Sequence, residues 1–161
     1  LTVAGPVGGM VYKAVSTLDS MVGYRNEHYL RFGWASARMD DLLNFIPARL
    51  TALLMILAAL LAGLSPKGAL SITLRDRLKH TSPNSGHPEA AAAGALGVRL
   101  GGSASYSGIG SWKAHIGDPL QPLDVHAYRG MLTLMYLTTM LMAAACIAGS
   151  FALGGSLVPH L

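Results

Sequence analysis

Two stretches of this chain carry no charged residue, and they limit its possible folds more than any other feature. Leu50–Pro66 is 17 residues long and Gly130–Val158 is 29. At about 1.5 Å per helical residue the shorter run reaches roughly 26 Å, just under a hydrocarbon core of about 30 Å. The longer run crosses with room for tilt. A third apolar run, Leu1–Tyr12, is interrupted by Gly5, Pro6, Gly8 and Gly9 and reads as a partial segment. The plainer reading of the 17-residue run is the core helix of a soluble protein. Against it, only 12% of residues are charged, where a soluble domain carries about 25%. The expected fold is therefore all-α: a single polytopic integral-membrane helical domain over 1–161, with membrane segments near 50–66 and 130–158 and two polar segments that hold the motifs.

Composition removes several function classes. Cys146 is the only cysteine, so neither an intrachain disulfide nor a thiolate zinc site is available. The net charge of +4 comes from scattered residues with no basic run, which argues against nucleic acid and leaves lipid headgroups or phosphorylated small molecules. The chain starts at Leu1 with no charged region before its first apolar stretch, so it reads as a piece of a longer protein.

The first polar segment, Lys13–Arg49, opens within a helix expected over residues 9–22, ended by Gly23 and followed by the turn Tyr24-Arg25-Asn26-Glu27. A second helix is expected from Trp34 to Ile46, with Pro47 breaking or kinking it before the apolar run. On its wheel Asp40, Asp41 and Asn44 share one face, flanked by Arg38 and Arg49. Two readings stand. One is a solvated face with Arg38 and Asp41 paired. The other is a magnesium site, because two carboxylates and an amide oxygen are hard ligands.

The second polar segment, Lys67–Arg129, contains His80-Thr81-Ser82-Pro83-Asn84-Ser85-Gly86-His87-Pro88-Glu89. Ser82-Pro83-Asn84 is turn chemistry, and Pro88 suits the start of a small-residue helix over Ala90–Val98. A helix N-terminus under a polar turn attracts anions. Glu89 would repel a phosphate there unless a cation bridges them. The Gly- and Ser-rich stretch from Gly97 to Gly110 reads either as a source of backbone donors for phosphate or as a floppy connection. No Walker lysine pattern and no GxSxG elbow is present.

The residues also carry a resemblance. Thr17-Leu18-Asp19-Ser20-Met21-Val22-Gly23-Tyr24-Arg25-Asn26, Phe32-Gly33 with Ser36-Ala37-Arg38, Asp40-Asp41, Asn44, and Pro47-Ala48-Arg49-Leu50 resemble signatures of the adenosylcobinamide-phosphate synthase family of cobalamin biosynthesis (the CobD/CbiB type). So do Ser82-Pro83-Asn84-Ser85-Gly86, Pro88-Glu89-Ala90-Ala91, Leu100-Gly101-Gly102 and Ile116-Gly117-Asp118. The likeness runs in order along nearly the whole chain.

What it implies is a multi-pass protein of the inner (plasma) membrane, in contact with lipid and without a nucleic-acid partner. It would join the corrinoid substrate adenosylcobyric acid to aminopropanol, or its phosphate, through an amide bond, using ATP and magnesium. Carried onto this chain, Asp40, Asp41 and Glu89 become the metal candidates. Arg25, Arg38, Arg49 and Arg99 become clamps for phosphate or carboxylate. Asp19, Asn26, Asn44, Ser82 and Asn84 become positioning residues, with Asp19 a base for the attacking amine, and Gly101 and Gly102 line the phosphate site. These roles follow from ligase chemistry, since the resemblance supplies only positions. Family members carry about as much chain again before the first motif, so the partner implied is a missing N-terminal half; a homo-oligomer is left open. The short run at 50–66 would have to be re-entrant or bundled for both polar segments to reach one cavity. The alternatives are a non-catalytic membrane sensor or a transporter component of the same superfamily.

Overall fold

The computed structural model describes residues 5–22, 30–106 and 109–154. They form α1 (Gly5–Val22), α2 (Leu30–Leu61), α3 (Pro66–Asp76), α4 (Gly86–Leu96), β1 (Leu100–Tyr106), β2 (Ile109–Ile116) and α5 (Val125–Gly154). The protein is mostly helical, but the all-α expectation is corrected by an antiparallel hairpin in which β1 pairs with β2. Glycine and serine, which are poor strand formers, hid the strands from a composition-based reading. The chain divides into two compact units: Leu1–Phe45 with Ala143–Leu161, and Ile46–Met142.

The helix expected at 34–46 does not stop at Pro47. α2 is 32 residues long with Pro47 in its interior. Proline removes a single backbone donor, and the hydrogen bonds of the turns on either side carry the helix through it. The first apolar segment is consequently longer than the run at 50–66. Among the described residues, two helices are long and apolar enough to cross a membrane, over Gly33–Leu61 and Val125–Ala152. Only 22% and 6% of their most apolar windows are buried, whereas the core helix of a soluble domain is mostly buried. Near the start, α1 runs from Gly5 through Lys13 to Val22. The cap expected at Gly23 lies outside the described residues.

In the 46–142 unit the core is built from small side chains. Ala52, Met55, Ala58 and Ala59 of α2 pack with Ala69 of α3, Ala91, Ala92 and Ala95 of α4, and the fully buried Leu134 of α5. A second cluster joins Ile72, Ala90, Ala93 and Ile116, and so seats the hairpin on α3 and α4. α3 and α4 approach at paired glycines: a Cβ on Gly94 would fall 2.2 Å from the Gly68 carbonyl oxygen. α3 itself starts at Ser65, whose side chain accepts the Gly68 N–H at 3.0 Å, with Pro66 in the first turn. That start signal was present in the sequence. α4 begins at Gly86, earlier than expected, and ends at Gly97 in the left-handed region with φ +66°.

Candidate functional site

In the unit of residues 1–45 and 143–161, the acidic face of α2 meets α1. Tyr12 Oη donates to Asn44 Oδ1 at 2.7 Å, and Asn44 Nδ2 donates to Asp40 Oδ2 at 2.9 Å. A tyrosine thus fixes the amide, and the amide fixes one carboxylate. One helical turn and more toward the end of α1, Asp19 has its carboxyl pKa raised, first by burial and then by the negative charges of Asp40 and Asp41. Asp19, Asp40, Asp41 and Asn44 therefore lie within electrostatic reach of one another. Arg38 lies over the Trp34 ring, 5.9 Å from its centroid. Arg25 and Asn26 lie outside the described residues.

In the 46–142 unit the Ser-Pro-Asn turn is organised by its own side chains. Ser82 Oγ accepts the backbone N–H groups of Asn84 and Ser85 at 3.4 Å, and His80 Nδ1 accepts the Ser82 N–H at 2.9 Å. Asn84 is buried and receives Arg49 Nη1 at 3.4 Å, so α2 and the turn meet here. His87 adjoins them. It is 6% exposed, and its Nε2 has no hydrogen-bond partner among the described residues. Burial lowers its pKa below the ordinary value, helped by the positive charges of Arg49 and Arg77. A neutral imidazole beside an arginine and a buried amide can accept a proton or orient an anion. The sequence reading left His87 without a role; its place between the Ser-Pro-Asn turn and Pro88 was the available signal.

Glu89 lies between two hollows of this unit. One, of about 680 Å³, is apolar, with Met55, Met131 and Met135 among its walls. The other, of about 570 Å³, has a mixed lining that includes Lys79, His80, Gly101, Trp112 and Lys113. His80 Nε2 stands 3.7 Å from Glu89 Oε1. Gly101 bulges the hairpin at φ +95°, where a Cβ would meet the Ala114 oxygen at 2.4 Å, so the bare backbone forms that part of the wall. Gly102 shares the φ of +95° and is buried. Arg99 is exposed and lines neither hollow.

The sequence reading also passed over a buried ion-pair network. Asp76 has no exposed side-chain surface; Arg75 meets it at 2.8 Å and Lys79 at 2.7 Å, and it accepts the Gly117 N–H at 2.8 Å. Arg75 also grips Asp118 through both terminal nitrogens, at 2.9 and 3.0 Å. These contacts hold the Asp76 carboxyl well below the usual carboxylate range. They tie the end of α3 to Ile116-Gly117-Asp118, which gives that motif a structural task.

For a magnesium ion the donor set matters. Among the described residues no three His, Cys, Asp or Glu side chains gather closely enough to hold a metal. Asp40 and Asp41 belong to one compact unit and Glu89 to the other. Magnesium commonly takes only one or two protein carboxylates and completes its shell with water and phosphate oxygens. The adjacent Asp40 and Asp41, whose charge already raises the proton affinity of Asp19, fit that pattern.

A family model described as CobD/Cbib protein matches residues 1–135. The chain belongs to this family. Every residue carried over from the family motifs falls inside the matched span. A CobD/Cbib relative from Pelobacter propionicus, named "Cobalamin biosynthesis protein CobD", is 64% identical over 161 residues, covering 100% of this chain and 50% of the relative. A relative of the same name from Geobacter metallireducens is 66% identical over 134 residues, 83% of this chain and 42% of its own length. Another from Streptococcus sanguinis is 49% identical over 140 residues, 87% of this chain and 44% of its own. The chain spans about half the length of the curated relatives it matches. No solved structure matches it.

Proposed function

We propose that this chain is the C-terminal part of an enzyme of cobalamin biosynthesis, an adenosylcobinamide-phosphate synthase at the membrane. It forms an amide between a carboxylate of adenosylcobyric acid and the amine of aminopropanol or its phosphate, driven by ATP. The observation that carries this reading is the joining of Asp19, Asp40, Asp41 and Asn44 across two helices, in a chain whose relatives are named for cobalamin biosynthesis.

A carboxylate does not react with an amine until it is activated. Transfer of the γ-phosphoryl of ATP to the carboxylate oxygen gives an acyl phosphate and ADP; attack by the amine then forms the C–N bond and releases phosphate. Asp40 and Asp41 would hold magnesium, which neutralises phosphate charge. Asp19 takes the proton lost by the attacking amine, a task its raised proton affinity suits. Asn44, set by Tyr12, holds Asp40 in place. Arg49, at Asn84, clamps a phosphate or carboxylate oxygen. Ser82 fixes the turn that presents Asn84. The helices at Gly33–Leu61 and Val125–Ala152 anchor the protein in the bilayer.

The test uses the full-length protein that carries this chain, in detergent, with adenosylcobyric acid, aminopropanol phosphate, ATP and magnesium. Amide product and ADP should appear together in equal amounts. Product without ATP, or ADP without product, would refute the mechanism.

A further inference from the structure

The apolar hollow of the 46–142 unit is a slot beside α5. Its walls follow that helix from Asp124 to Thr139, about 22 Å at about 1.5 Å per residue. Spread along that length, its volume of about 680 Å³ corresponds to a section of about 30 Å². A helix with its side chains is about 10–12 Å across and does not fit inside. A hydrocarbon chain, whose carbons touch their neighbours at about 4 Å, does. The walls suit such a chain. Met55, Met131 and Met135 line it, and methionine adapts to an irregular apolar guest. Two of the three threonines on the walls give their hydroxyl hydrogens to α5 itself, Thr138 to the Leu134 carbonyl at 2.7 Å and Thr139 to that of Met135 at 2.9 Å. Glu89 turns one carboxylate oxygen toward His80, at 3.7 Å, on the side of the other hollow. Where α5 begins, the slot ends in Asp124 and Tyr128, at the edge of the apolar span that starts at Val125. Tyrosine favours that level of a bilayer, beside the headgroups. Asp124 accepts the Ala127 N–H at 2.9 Å, which holds its carboxyl below the ordinary value and therefore charged. Among the described residues no lysine or arginine lines the slot. A headgroup at this end meets negative charge, which favours an amine and disfavours a net anion.

We propose that this slot holds an acyl chain of a membrane phospholipid with an amine headgroup, such as phosphatidylethanolamine, the ammonium near Asp124 and the chain along Met131 and Met135 toward Thr139. The chain completes the packing between α2, α4 and α5, where Ala92, Ala93 and Ala127 on the walls are too short to close the gap. The proposal rests on the reading of α5 as a membrane-spanning helix and on nothing in the ligase chemistry.

The test is mass spectrometry of the lipid retained by the full-length protein after extraction in mild detergent and washing until bulk lipid is gone. Wild type should keep about one phospholipid per chain. Met135→Trp, which thickens the slot wall, should keep less than about a fifth of that. Met140→Trp, the same change at an exposed site outside the slot, should keep it all. Met135 is itself 48% exposed, so both variants keep the fold. Offered phosphatidylethanolamine and phosphatidylglycerol equally, wild type should prefer the former about fivefold. Asp124→Asn keeps an oxygen for the Ala127 N–H and should lose the preference but not the lipid. After the wash, a phosphatidylethanolamine carrying a diazirine on its acyl chain should photolabel Met131 and Met135 of the wild-type protein. No retained lipid, equal retention in the two tryptophan variants, or labels confined to Tyr136 and Met140 overturns the proposal. An absent preference, or one that survives Asp124→Asn, overturns the headgroup assignment. Carbonate extraction of membranes separates the two possible failures. A protein that stays in the bilayer yet holds no lipid refutes the slot alone; a protein that washes out refutes the membrane reading with it.

Discussion

Asp76 is a carboxylate without exposed surface whose charge is met by Arg75, Lys79 and the Gly117 N–H. Removing one side of a buried pair leaves the other side unsolvated. Asp76→Asn should therefore destabilise the protein by about 3 kcal/mol, read as a lower thermal midpoint in detergent. Its folded proton affinity lies below that of an unfolded aspartate, so the stabilisation is complete above the ordinary value of 3.8 and is lost as pH falls below it. His87 acts at a milder pH. Its pKa is lowered from the ordinary 6.5, so the unfolded chain binds the proton more readily and folding resists protonation. The stability linked to His87 is full above 6.5 and declines as pH falls toward the lowered value. Between about pH 7.5 and about pH 5.5 the wild-type midpoint should drop further than that of His87→Phe; an identical drop would show that the imidazole is not held neutral. Neither residue was legible as important in the sequence. Arg75-Asp76 looks like surface charge until the chain folds Gly117 over it. The carboxylates of α2 were legible, because helical spacing alone puts Asp40, Asp41 and Asn44 together.

At the scale of elements, close approach decides what a position tolerates. Gly68 and Gly94 sit where α3 and α4 touch backbone to backbone. Gly94→Ala should lower stability by at least about 1–3 kcal/mol through overpacking. Gly149→Ala in α5 meets nothing within 4 Å and should be neutral or stabilising by up to about 1 kcal/mol. Equal effects of the two substitutions on the thermal midpoint would contradict this packing. Helix α4 was readable from its alanines and from the glycine that ends it. The length of α2 was not, because a rule drawn from helices in water treats Pro47 as a stop. The hairpin escaped because Leu100-Gly101-Gly102-Ser103 lacks the β-branched alternation that marks a strand; its register depends on positive-φ glycines, whose conformation a sequence does not display.

For the whole molecule, the proposed ligase reaction would set the topology, since ATP is available on the cytoplasmic side. Under that proposal both polar segments would have to reach that side. Single cysteines at Ser20 and Ser85, in a Cys146→Ala background, should be labelled by a membrane-impermeant reagent from the cytoplasmic face; labelling from opposite faces would rule out a shared reaction. Apolar length made the two long apolar helices legible, and ordered motifs made the family legible. The division into two compact units was not, because α2 and α5 each run from one unit into the other and no linker marks the boundary. The account turns on the carboxylate face of α2. Its most direct test is the turnover of the full-length protein carrying Asp40→Asn, followed as amide product against magnesium concentration. The account predicts a loss of about a hundredfold or more, partly recovered at high magnesium; wild-type turnover with an unchanged magnesium dependence would contradict it.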